Sequence, residues 1–145
     1  MSNEADKITA TELRLISVFN ELTKCSALRC FIDSESNRII FLVDKSEYGR
    51  AVGKNGRNIK LLSQIFKRPV EIVKYSDNLE EMVSYLFPAE GIEEVSLVDG
   101  RDGKSVTIKI RDEYKGKAIG KNGRNIKRAR LLLKALFNVT KVSIK

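Results

Sequence analysis

The stretch GRAVGKNGRNIK at residues 49–60 returns almost unchanged as GKAIGKNGRNIK at residues 116–127. Ten of the twelve positions are identical, and the other two exchange arginine for lysine and valine for isoleucine. The copies begin 116 − 49 = 67 residues apart in a chain of 145, so the chain is an internal duplication. A unit of this length is a compact assembly of several elements and not one turn of a solenoid.

Working outward from the first copy, periodicity predicts a complete set of elements. The pattern Thr9-x-x-Glu12 predicts a capping box that opens a helix. Apolar residues then recur at helical spacing, and two short alternating segments flank a polar turn. The predicted elements are a helix bearing Leu15, Phe19 and Leu22, strands at Leu28–Asp33 and Arg38–Val43, a short helix at Ser46–Val52, a longer helix stopped by Pro69, and a strand at Val70–Lys74.

The second copy has the same order of elements around it. Asp77-x-x-Glu80 predicts the cap of a helix that ends at Pro88, and a Gly/Asp-rich turn at residues 99–103 joins two strands. The predicted strands are Ile92–Val98, Ser105–Ile110 and Val139–Ile144, and the longer helix bears Ile126, Ala129, Leu133 and Leu136. Four or five additional residues follow this loop, which is about one helical turn.

The repeated order predicts an α+β protein with two domains. Residues 1–76 are expected to form the first domain, which includes the N-terminal helix, and residues 77–145 the second. Each is expected to contain a three-stranded sheet with helices packed on one face.

Positive charge is concentrated around the two copies. The net charge is 27 − 19 = +8. Residues 49–68 contain six Lys/Arg and no acid, and residues 115–134 contain eight and no acid, which leaves 8 − 14 = −6 for the rest of the chain. A surface that only confers solubility intersperses its signs. Segregated positive charge instead predicts a polyanionic ligand.

The GKNG segments are the candidate ligand site. Glycine admits positive φ and lets the backbone approach a ligand, and the second glycine opens a helix whose N–H groups and dipole attract phosphate. Lysine adds charge, while asparagine tolerates left-handed backbone and supplies hydrogen bonds. The predicted binding residues are Gly53, Lys54, Asn55, Gly56, Arg57 and Lys60 in the first copy, and Gly120, Lys121, Asn122, Gly123, Arg124 and Lys127 in the second.

These loops do not match the phosphate-binding motifs of nucleotide-dependent enzymes. The spacing from Gly49 to Gly53 is one residue short of a Walker A loop, and Asn55 stands where the magnesium-binding hydroxyl belongs. The chain has no histidine, which removes the commonest general base and metal ligand. Cys25 and Cys30 are too few for a structural zinc site, and we expect them in the core. We therefore expect no catalytic residue, no metal site and no cofactor.

The remaining composition bears on location. No apolar run is long enough to span a bilayer. The first ten residues contain two acids and no apolar stretch, unlike a signal peptide. We expect a cytoplasmic monomer that does not contact membranes.

The duplicated unit resembles a type II KH domain. Residues 52–59 and 119–126 match the I-G-x-x-G-x-x-I core of that family, with valine in place of the first isoleucine at position 52. Two such domains in tandem, with nearly identical loops, resemble the archaeal NusA-like transcription factors. The resemblance covers about residues 7–145.

The resemblance implies a ligand and a role. A KH loop of this kind clamps the backbone of about four nucleotides. The bases would then lie in a groove walled by Val52, Ile59, Ile119 and Ile126, and the flanking basic residues would follow the phosphates. The implied function is transcription termination or antitermination by contact with nascent single-stranded RNA, with RNA polymerase as a further candidate partner. A ribosome-associated or RNA-processing KH protein and a single-stranded DNA binder are the alternatives.

Overall fold

The computed structural model describes residues 8–145, and the predicted order helix, strand, strand, helix, helix, strand occurs in it twice. The described chain divides between Ser76 and Asp77 into two compact units. Residues 1–7 of the predicted first domain lie outside the described residues.

The first unit forms a three-stranded mixed sheet. Its elements are α1 (Ala10–Thr23), β1 (Ala27–Asp33), β2 (Arg38–Asp44), α2 (Tyr48–Val52), α3 (Arg57–Phe66) and β3 (Val70–Tyr75). The strand order is β1-β2-β3, with β1 antiparallel and β3 parallel to the central strand. A parallel neighbour requires a crossover, and α2 and α3 provide it. The GKNG segment lies within this crossover.

Aromatic packing holds the helices on the sheet. The ring of Phe41 in β2 stacks on Phe19 of α1 with centroids 4.4 Å apart, and it lies 6.1 Å from Phe66 at the end of α3. Leu62 of α3 belongs to the same buried cluster. Burying aromatic side chains supplies much of a small core's stability. Ile59, in the first turn of α3, packs against the same cluster, so the start of the helix and the loop before it are also held on the sheet.

The second unit repeats this arrangement. Its elements are α4 (Leu79–Leu86), β4 (Ile92–Gly100), β5 (Gly103–Ile110), α5 (Asp112–Ile119), α6 (Arg124–Phe137) and β6 (Val139–Ile144), with sheet order β4-β5-β6. The first pair is antiparallel and the second parallel. α6 has 14 residues and α3 has 10, which confirms the predicted additional turn.

The two residues of the predicted capping box at α1 have different roles. Thr9 caps the helix, because its Oγ1 accepts a hydrogen bond of 3.0 Å from the backbone N–H of Glu12. The Glu12 carboxylate, however, faces β1. It accepts hydrogen bonds from Arg29 Nε at 2.8 Å and from the Cys30 N–H at 2.9 Å. This ion pair, in which Glu12 is buried and Arg29 partly buried, ties α1 to the edge strand of the sheet.

Two predictions in the second unit are wrong in detail. The cap of α4 is Asn78 and not Asp77: Asn78 Oδ1 accepts from the Glu81 N–H at 2.9 Å, and the helix starts one residue later than predicted. The predicted turn at residues 99–103 is also too long. Gly100 pairs with Gly103, so only two residues connect the strands. Gly103 permits this because it adopts φ +113, where residues with a Cβ are strained.

Candidate nucleic-acid interface

Both GKNG segments form one tight turn between a short and a long helix. Each turn is closed by one backbone hydrogen bond, from the Gly56 N–H to Gly53 O at 3.1 Å and from the Gly123 N–H to Gly120 O at 3.0 Å. Asn55 and Asn122 inside the turns adopt left-handed backbone. The backbone angles are φ 79, ψ 167 at Gly53 and φ 80, ψ 166 at Gly120. The asparagines and second glycines of the two turns also agree to within five degrees in φ and ψ. The duplicated sequence therefore produces a duplicated geometry.

The first glycine of each turn is required sterically. A Cβ on Gly53 would lie 3.1 Å from the Asn58 side chain, and on Gly120 it would lie 2.8 Å from the backbone nitrogen of Asn125. Both backbones also lie in a region that only glycine occupies readily. At Gly56 the constraint differs, since φ is +72 and a Cβ there would meet no atom within 4 Å. That open side leaves the backbone accessible to a ligand.

An asparagine inside each repeat fixes the turn, and sequence reasoning missed it. Asn58 Nδ2 donates to the carbonyl oxygens of Ala51 at 3.0 Å and Arg50 at 3.3 Å. Asn125 Nδ2 donates to Ala118 O at 2.8 Å. Each thereby satisfies carbonyls at the end of the short helix, which have no partner within that helix. The sequence contains a signal for this role, because Asn58 and Asn125 occupy equivalent positions in the two copies.

The second turn has an additional brace. Arg128 is buried, and its Nη2 donates to Asn125 Oδ1 and to Leu86 O, both at 2.8 Å. Asn125 Nδ2 also donates to Leu86 O at 3.0 Å. Arg128 lies in the basic window of residues 115–134, but its guanidinium donates hydrogen bonds to groups inside the protein. The first copy has Leu61 at the corresponding position.

The remaining predicted loop residues carry the site's charge. The side chains of the two lysines, two asparagines and four flanking basic residues are exposed: Lys54, Asn55, Arg57 and Lys60, and Lys121, Asn122, Arg124 and Lys127. Gly56 and Gly123 are the N-caps of α3 and α6 and provide no side-chain cap. The positive ends of both helix dipoles are thus open beside exposed cations, an arrangement that favours phosphate.

The predicted groove residues lie at the boundary of core and surface. Val52 and Ile59 are half-buried and pack against the core of the first unit. Ile126 is likewise half-buried, whereas Ile119 is 41% exposed. Each can stabilise its unit and still present apolar surface beside the turn.

Expectations from the sequence also concern metal ligands, the cysteines and membrane-spanning helices, and residues 8–145 bear on each of them. No cluster of three or more His, Cys, Asp or Glu in this part of the chain could hold a metal ion. Cys25 and Cys30 are free and buried, as predicted. Within the same described residues, no helix has both the length and the apolar character needed to cross a membrane.

Comparisons with known proteins agree with this fold. The family model of the NusA-like second KH domain matches the chain twice, at residues 15–81 and 79–145. The probable transcription termination protein NusA of Methanocaldococcus jannaschii is 29% identical over 140 residues, which cover 95% of this chain and 74% of the relative. The same-named protein of Halococcus morrhuae is 26% identical over 94% of this chain and 96% of its own. The crystal structure of APE1850 matches with a TM-score of 0.90 and 49% identity, over 95% of this chain and all of that one.

Proposed function

The chain belongs to the NusA-like KH-domain family as a non-enzymatic factor with tandem KH domains, and from this membership we propose that it binds single-stranded RNA through its two GKNG turns. The RNA is nascent transcript, and the outcome of binding is a change in transcription termination or antitermination. The two KH domains are residues 1–76 and 77–145.

The main support for this proposal is that the two turns have the same geometry. Two segments 67 residues apart adopt the same backbone angles, with glycine where only glycine fits and an open helix start beyond. A connection that merely joined two helices would not need exposed lysine and arginine at both ends. One ligand with a repeating charged backbone accounts for both sites.

The chemistry of binding follows from the residues around each turn. The phosphate backbone lies over the second glycine, where the backbone is open, and meets the dipole end of α3 or α6. Lys54 and Lys121 add charge at the turn, and Arg57 and Arg124 add it one residue past the second glycine. The half-buried isoleucines offer apolar contact to bases. A single strand fits this site because its bases are free to turn away from the phosphates.

RNA polymerase is the second proposed partner. Its support is the name of the relatives, which are probable transcription termination proteins. A termination factor acts on a transcribing complex, so contact with the enzyme as well as its transcript is expected.

Competition and crosslinking test the proposal on the full chain. Fluorescence anisotropy with a labelled single-stranded RNA, challenged by DNA of matched sequence and by duplex RNA, should show preference for the single-stranded RNA. Ultraviolet crosslinking followed by mass spectrometry should place the attached nucleotides on peptides that contain residues 53–60 and 120–127. Equal affinity for matched DNA would favour the single-stranded DNA alternative, and crosslinks confined to other peptides would refute the proposed site.

A further inference from the structure

The two turns are alike, but the helices that follow them differ in charge. α3 has two basic residues among ten, whereas α6 has five among fourteen, and neither contains an acid. From Tyr114 to Lys145 the chain holds ten basic residues and no acid. A helix face that is only solvated usually pairs its cations with carboxylates one turn away. The concentration of like charge on α6 therefore indicates that this helix contacts an anionic ligand.

Four of the five basic residues of α6 share one exposed face. At about 100° per residue, Lys127, Arg130 and Lys134 lie within an arc of about 60°, and Arg124 lies about 60° to the other side of Lys127. All four are exposed, whereas Arg128 is buried, with only 8% of its surface exposed. We call the four exposed residues the basic stripe. Ten residues at 1.5 Å each make the stripe about 15 Å long.

The basic stripe is continuous with the second GKNG turn. A Cβ on Gly123 would lie 3.7 Å from Cε of Lys127, so this lysine stem folds back beside the turn. Farther along, Arg130 Nη2 donates to Val142 O of β6 at 3.4 Å, which holds the middle of the stripe at the sheet. The stripe thus runs from the turn along the helix.

The first copy lacks this extension. Ser63 takes the place of Arg130, since 130 − 67 = 63. Lys67 takes the place of Lys134, but it lies past the end of α3 in left-handed backbone with φ 56. The basic face of α3 therefore ends at Lys60. Equal turns followed by unequal helices imply that the two domains hold different lengths of ligand.

We propose that the basic stripe binds RNA phosphates beyond those held by the second GKNG turn, so that the second domain takes a longer strand than the first. This inference rests on the proposed function, because the stripe extends a loop site. The part of the stripe beyond the turn's own residues runs from Lys127 to Lys134, which is about 10 Å along the helix. A stacked strand advances about 3.4 Å per nucleotide, so this part corresponds to about three nucleotides, which add to the about four that a KH loop clamps.

The test isolates the second domain within the full chain. Lys54→Asp with Asn55→Asp disables the first turn, and in this parent the stripe variant Arg130→Ser with Lys134→Ser is compared with a control, Arg101→Ser with Lys109→Ser. The control removes two exposed cations elsewhere in the same unit. The probes are single-stranded RNAs of about five and about twelve nucleotides, the first long enough only for the turn.

The stripe variant should bind the long RNA about tenfold more weakly, and the slope of log affinity against log salt should become shallower by about 1.4, or 0.7 per lost phosphate contact. Its affinity for the short RNA and the behaviour of the control should match the parent. Unchanged affinity and slope with the long RNA would overturn the inference and leave an acidic protein as the stripe's partner. Equal weakening with both RNAs would overturn it too. Failure of the parent to bind any RNA would instead count against the second turn itself.

Discussion

Asn125 and Arg128 form a hydrogen-bonded pair in which the guanidinium donates to the carboxamide oxygen at 2.8 Å, and both side chains donate to the carbonyl of Leu86. Leu86 is the last residue of α4, so its carbonyl has no partner within that helix. The pair therefore connects the end of α4 to the start of α6. We therefore expect the orientation of the second GKNG turn to depend on this connection.

Replacing Arg128 by leucine, the residue that the first copy has, should loosen the second turn. Hydrogen bonds to a charged donor contribute about 1.5–3 kcal/mol each, offset by the burial of the charge, so we expect a net loss of about 1–2 kcal/mol in the free energy of unfolding. RNA affinity of the second site, measured with the first turn disabled, should fall several-fold at temperatures where the variant is folded. Arg101→Leu is the exposed control and should change neither quantity. An Arg128→Leu variant that melts earlier yet binds normally would restrict Arg128 to a structural role.

The glycines of the repeat should differ in their tolerance of alanine. Gly120→Ala should destabilise by about 3 kcal/mol or more, because its Cβ meets backbone at 2.8 Å and its φ is +80. Gly56→Ala should cost about 1–2 kcal/mol, since only its left-handed backbone opposes a side chain. Gly49→Ala should be neutral or stabilising, because this glycine lies inside α2 with open space around it. Chemical denaturation measures all three, and an equal cost at Gly49 and Gly120 would contradict the steric explanation.

Glu12 should contribute far more to the free energy of unfolding than an exposed glutamate of the same helix. Removing its carboxylate with Glu12→Ala leaves Arg29 and the Cys30 N–H without this partner, and breaking a buried pair costs about 3–5 kcal/mol. Glu21→Ala removes an exposed pair, with Lys24 at 3.9 Å, and should change stability by no more than about 0.5 kcal/mol. Urea unfolding of the two variants gives the comparison. Similar losses in both would show that burial does not strengthen the Glu12 contacts.

The thiol of Cys30 should be unreactive in the folded protein. Burial, aided by the Glu12 carboxylate, raises the pKa of Cys30 to about 12. Because this pKa is raised, the reactive thiolate is scarce at all pH values well below it, and the side chain is also inaccessible. Alkylation near neutral pH, followed by peptide mass mapping, should modify Cys30 only as fast as the protein unfolds. Rapid labelling of folded protein would contradict the buried environment, while denatured protein should label at once.

Local patterns predicted the elements because each depends on neighbours in sequence. Helical spacing located α1, and the duplicated glycines located both turns. Contacts across long separations could not be predicted this way. Glu12 meets Arg29 seventeen residues on, and Arg128 meets the Leu86 carbonyl forty-two residues back. No local pattern distinguishes the buried Arg128 from its exposed neighbours on α6.

The turns themselves provide the most direct test. Lys54→Asp, Asn55→Asp, Lys121→Asp and Asn122→Asp together should repel phosphate at both sites. The fold should persist, because all four side chains are exposed and aspartate tolerates the left-handed backbone of both asparagines. Lys24→Asp with Asn37→Asp is the control, since both positions are exposed, left-handed and outside the turns.

Affinity for a single-stranded RNA long enough to reach both domains is measured together with the melting temperature. We predict that the quadruple variant melts close to wild type and binds at least about a hundredfold more weakly, because both sites and their linkage are lost. The control should bind as wild type does. A quadruple variant that keeps both its melting temperature and its full RNA affinity would contradict the assignment of the GKNG turns as the RNA-binding sites.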